Sequence, residues 1–192
     1  MDNPRYADLM QASRFPADLR TVAFAGVITQ ALATRQGPLI RGMTEPGFQA
    51  LMRSCFPGYQ LRNGWAPSCD KPVADEFDDL LQLLLDHRAR PCEASSWLSC
   101  AIASAAMREN HLWQDMGLPN RALLSQLLRD NYPELAARNT GDMKWKKFFY
   151  RQLCERAGVM ICKSPNCADC CDYALCFAPE MPQRDSIQIR RS

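Results

Sequence analysis

No uncharged, apolar-rich stretch of this chain exceeds 14 residues, and one of that length, Ala94 to Met107, contains four serines. A spanning helix needs about 20 consecutive apolar residues, so no membrane span is expected. Charge of one sign is also missing, with 23 Lys and Arg against 21 Asp and Glu and a net charge of +2. A generic nucleic-acid binder presents a strongly basic domain, so nucleic acid is not an expected partner. The opening residues, MDNPRYADLM, carry neither a basic start nor an apolar run. No secretory signal is visible, and the expected location is the cytoplasm. Persistent period-2 alternation is absent, as are H-E-x-x-H, G-x-x-x-x-G-K-[ST] and G-x-G-x-x-G. Nothing calls for nucleophilic or phosphoryl-transfer chemistry. There remains a chain of 192 residues, 47% hydrophobic and 23% charged, long enough to bury a real core.

Cysteine is abundant by contrast, with ten in the chain, at positions 55, 69, 92, 100, 154, 162, 167, 170, 171 and 176. Five of the ten fall within the 15 residues from Cys162 to Cys176. Disulfides require an oxidising compartment, to which nothing here points. The cysteines outside the cluster lie mostly in apolar helical stretches, where a free thiol acts as a small hydrophobe. A redox C-x-x-C normally follows a strand and opens a helix, and no strand alternation precedes Cys167. The spacing favours metal. Cys162, Cys167, Cys170 and Cys176 form C-x4-C-x2-C-x5-C, with intervals that let a chain turn between ligands to one centre. Four thiolates are the usual complement of an iron–sulfur cluster. Structural zinc more often shows two short pairs across a longer loop, so the spacing leans to iron–sulfur and leaves zinc open. Cys171 follows Cys170 directly and reads as a filler, or alternatively as a labile ligand for a second metal.

The rest of the chain reads as helix. Phe24, Val27, Ile28, Ala31 and Leu32 recur at helical spacing before Gly37-Pro38. Phe48, Leu51, Met52 and Cys55 form a shorter segment closed by Pro57-Gly58, and a Pro- and Gly-rich connection follows to residue 72. Val73, Phe77, Leu80, Leu81 and Leu84 line a third face, with Pro72 suited to a first turn. Further faces run from Trp97 to Ala105, from Leu123 to Leu128 after Pro119, and from Trp145 to Leu153. The expected fold is all-α, a helical bundle with a C-terminal cysteine-rich metal-binding loop. The expected division is a helical domain over 1–158, a cluster-binding loop over 159–180, and a flexible tail over 181–192.

The last helix leads directly into the cysteines. Between Asp142 and Gly158 there are five basic residues and two acidic ones. Lys144, Lys147 and Arg151 share a face opposite the aromatic stripe. They form either a solvated surface or an electropositive approach that attracts an oxyanion or an acidic partner. His87 lies near a helix end, where an imidazolium suits the dipole. His111, in H-L-W-Q-D, reads as a buried, hydrogen-bonded histidine more readily than as a metal or acid–base residue.

The stretch MKWKKFFYRQLCERAGVMICKSPNCADCCDYALCFAPE, residues 143–180, resembles the nitrogen-fixation protein family NifQ. So do H-L-W-Q-D-M-G-L at 111–118 with Arg121 after it, and R-P-C-E at 90–93. The resemblance implies an iron–sulfur molybdenum carrier that supplies molybdenum for the nitrogenase iron–molybdenum cofactor, a donor and not an enzyme with turnover, with catalysis of molybdate processing left open. It implies cluster ligands at Cys162, Cys167, Cys170 and Cys176. Its implied partners are molybdate, the nitrogenase cofactor scaffold complex and the nitrogenase iron protein. A zinc-stabilised protein-interaction module and a small iron–sulfur electron carrier remain as alternatives.

Overall fold

A computed structural model describes residues 4–34, 38–61, 76–159 and 173–180. These residues form ten helices and no strand: α1 (Pro4–Gln11), α2 (Leu19–Thr34), α3 (Glu45–Cys55), α4 (Phe77–Asp86), α5 (Glu93–Ala106), α6 (Leu112–Asp115), α7 (Arg121–Asn131), α8 (Pro133–Ala137), α9 (Trp145–Arg156) and α10 (Tyr173–Phe177). The all-α expectation holds. Cys162, Cys167, Cys170 and Cys171 lie outside the described residues, as do Pro72, Val73 and the tail from 181.

Helices α2 and α5 pack together at the centre, and both are apolar on nearly every side. Ala23, Phe24, Val27 and Ile28 of α2 and Leu98, Ala101, Ile102 and Ala105 of α5 are all fully or almost fully buried. A helix enclosed in this way needs small residues where backbones meet. Gly26 provides one such contact, since a Cβ there would stand 2.2 Å from the Met116 carbonyl oxygen. Gly117 answers from the other side, at φ +64°, with the Gly26 Cα 2.5 Å from its own added Cβ. This pair seats the 111–118 motif directly on α2. Around the central pair, α3 and α4 pack on α5, α1 on α2, α8 on α7, and α9 on α4.

Local chemistry fixes the helix starts. Thr44 caps α3 by accepting the Gly47 N–H at 3.3 Å, with Pro46 in the first turn. Asn120 caps α7 by accepting the Leu123 N–H at 3.0 Å, so the helix begins after Asn120 and not at Pro119. Tyr132, buried at the α7–α8 joint, shares a 2.9 Å hydrogen bond with Ser99 on α5. In α9, Trp145, Phe148 and Phe149 cluster edge to face and tilted, and the indole N–H donates to Ser125 at 2.9 Å.

Candidate functional site

The chain leaves α9 through Val159, passes the four clustered thiols at 162–171, and is next described at α10. That short helix returns to the other end of α9. The Lys144 N–H, at the α9 N-cap, donates to the Cys176 carbonyl at 2.8 Å, and Lys144 Nζ reaches the Ala174 carbonyl at 3.4 Å. Twelve residues of α helix rise about 18 Å, so the ends of the cysteine segment are tied near opposite ends of α9. Cys176 is therefore a half-buried thiol whose backbone is hydrogen-bonded to the helical body. Phe177 stacks on Tyr173 with ring centroids 4.5 Å apart, and its ring edge comes 3.2 Å from where a Gly141 Cβ would lie. Gly141 is what lets α10 approach this closely.

The turn beneath α10 is built from the upstream motif. Asp142 takes φ +52°, a left-handed conformation rare outside glycine that Asp tolerates better than most residues. Arg121 Nη2 donates to the Asp142 carbonyl at 2.7 Å, its carboxylate at 2.8 Å and the Met143 carbonyl at 3.0 Å. Asn139 closes the other side, accepting the Met143 N–H at 2.8 Å and donating to the Met143 carbonyl at 2.9 Å. The second guanidinium arm lies 3.5 Å from Glu180, which His111 Nδ1 approaches at 3.7 Å. The Glu180 side chain is only 4% exposed, and its Oε2 has no hydrogen-bond partner among the described residues.

A cleft of about 330 Å³ opens beside α10, lined among others by Asn110, His111, Lys144, Lys147, Leu175 and Glu180. Lys146 lies beneath it, bonded to the Arg108 carbonyl and, at 2.7 Å, to the buried carboxylate of Asp115. Burial holds the Lys146 ammonium below its ordinary pKa, against the pull of Asp115. The basic face expected on α9 is thus narrower than its residue count. Lys146 is neutralised by Asp115, Arg151 pairs with Glu155 at 2.8 Å, and Arg156 pairs with Asp86 at 2.7 Å. Lys147 is exposed, while Lys144 is the half-buried N-cap and not a member of the helix.

His111 is not buried as expected. It is the N-cap of α6, about a third exposed, and its carboxylate neighbour is Glu180 and not Asp115. His87 caps α4, with Nδ1 2.8 Å from the Leu83 carbonyl. Cys55 and Cys100 are buried as small hydrophobes, whereas Cys92 is exposed at the N-cap of α5. Among the described residues, no three His, Cys, Asp or Glu side chains converge as a metal site. Of the four expected ligands only Cys176 is among them. Its half-buried thiol, within α10, is compatible with membership of a four-thiolate set.

The NifQ family model matches residues 23–178, most of the chain and all four of the spaced cysteines. The chain belongs to the NifQ family. Protein NifQ of Rhodobacter capsulatus is 37% identical over 164 residues, covering 82% of this chain and 89% of the relative. Protein NifQ of Azotobacter vinelandii is 44% identical over 107 residues, covering 56% of this chain and 55% of the relative. Protein NifQ of Klebsiella pneumoniae is 48% identical over 77 residues, covering 40% and 46%. The chain thus spans about half the length of the Azotobacter and Klebsiella relatives. No solved structure matches it.

Proposed function

We propose that the protein is an iron–sulfur molybdenum carrier, supplying molybdenum for assembly of the nitrogenase iron–molybdenum cofactor. A role in nitrogen fixation follows from the family; the carrier chemistry is our reading of the residues. The observation that carries it is the extent of the family match, which runs to residue 178 and takes in Cys162, Cys167, Cys170 and Cys176. Those four thiolates would hold the cluster, which supplies a sulfide-rich setting for a metal that arrives as a hard oxyanion. The chain's own contribution is placement and charge. Cys176 is seated on the body beside a cleft lined by Lys144 and Lys147 and also by Glu109 and Glu180, the last of them facing Arg121, and a dianion such as molybdate would be met there by the two ammonium groups. The proposed acceptors are the cofactor scaffold complex and the nitrogenase iron protein, and the proposed location is the cytoplasm. No helix among the described residues is long and apolar enough to cross a membrane.

Single Cys→Ala changes at the four positions test the ligand set. Each is expected to abolish or badly deplete iron in protein purified without air, while the helical circular dichroism survives, because the core lies elsewhere. Cys171→Ala is expected to have a smaller effect. If Cys171 proves indispensable and Cys176 dispensable, the ligand assignment is wrong. Zinc in place of iron would indicate a structural module. Iron with a reversible redox couple and no molybdenum association would indicate an electron carrier.

A further inference from the structure

Arg121 performs two tasks that the ligand motif does not account for. One nitrogen of its guanidinium gathers the Asp142 and Met143 carbonyls and the Asp142 carboxylate, and so stabilises the left-handed turn at φ +52°. The other nitrogen faces the buried carboxylate of Glu180 at 3.5 Å. Beside those two grips lie contacts that seat α10: Gly141 under the Phe177 ring, and the Lys144 N–H bonded to the Cys176 carbonyl. Arg121 is the first residue of α7, directly after the Asn120 cap. Its planar fork reaches two differently oriented acceptor groups at once, which a lysine ammonium on a flexible stem does not reproduce.

We propose that Arg121 is a positioning residue for Cys176, fixing the last thiol of the motif by clamping the turn before α9 and the segment after α10 at Glu180. The inference rests on Cys176 being a cluster ligand, but the clamp itself is readable without a cluster. The Lys144 amide is the reporter, because the Cys176 carbonyl is its acceptor. In the full chain purified without air, hydrogen exchange at the Lys144 amide is compared among wild type, Arg121→Gln and Arg121→Lys. Both variants are expected to exchange this amide about tenfold faster or more, as a local opening, while amides of α5 keep their protection. The visible and electron paramagnetic spectra of the iron-loaded variants are expected to change shape, a signature that loss of bulk stability alone does not produce. Glu180→Gln, which leaves the turn untouched, is expected to accelerate the same amide by a smaller factor and decides the matter if the Arg121 variants fail to fold. Unchanged Lys144 exchange in folded variants would overturn the proposal, as would full restoration by lysine, which would reduce Arg121 to a point charge. Wild-type protein without iron would instead end the cluster reading and leave the exchange result standing.

Discussion

Cysteine has at least two different roles in this molecule at the scale of single residues, and burial separates them. Cys100, inside α5, has its thiol pushed up to about 11 by burial, so at neutral pH it is an inert hydrophobe. Cys92 stands exposed at the start of the same helix, where the Ser95 backbone N–H and hydroxyl hold its thiol below the usual range. With limiting alkylating reagent at about pH 8, near the ordinary thiol pKa, Cys92 is therefore expected to be modified before Cys55 and Cys100, with Cys100 last. Peptide mapping by mass spectrometry checks the order, and early labelling of Cys100 would contradict it. Raising the pH through the Cys100 value should bring that thiol into reaction only where the fold opens. The thiol-rich motif was legible from residue spacing because its cysteines are close in sequence. Arg121, Asp142 and Glu180 were not legible as a unit. They meet only through the fold, and the single clue was that Arg121 followed a stretch with family character.

At the scale of elements, legibility followed length. Helices α2, α3, α5, α7 and α9, each at least eleven residues long, show the apolar periodicity that a sequence window detects. The four-residue α6 and the five-residue α8 and α10 complete too few turns to display a period. His111 is the N-cap of the first of these, a position that the H-L-W-Q-D stretch alone does not display. The basic count on α9 misled for a related reason, because the acids that neutralise Lys146 and Arg156 come from α6 and α4. One contact between elements is open to a direct test. Gly26 and Gly117 bring α2 and the α6–α7 connection to backbone contact, with no room for a methyl group at either. Gly26→Ala is expected to cost about 3 kcal/mol, despite alanine's higher helix propensity, because the obstructing atoms belong to backbone. Urea unfolding measures this, and a neutral or stabilised variant would show that the close approach is not maintained in solution.

For the whole molecule, the described helices share one core, and Cys176 and Phe177 of α10 pack against it. The body closes on an apolar core centred on α2 and α5, and all the buried aromatic residues of α9 face into it. The described elements on either side of the cysteines at 162–171 are α9 and α10. The measurement that tests the account most directly is the metal and acid-labile sulfide content of the full chain, purified without air from molybdate-fed cells. The account predicts brown protein containing iron and sulfide, with molybdenum retained through purification. Colourless protein with neither iron nor sulfide, still active in cofactor assembly, would contradict it.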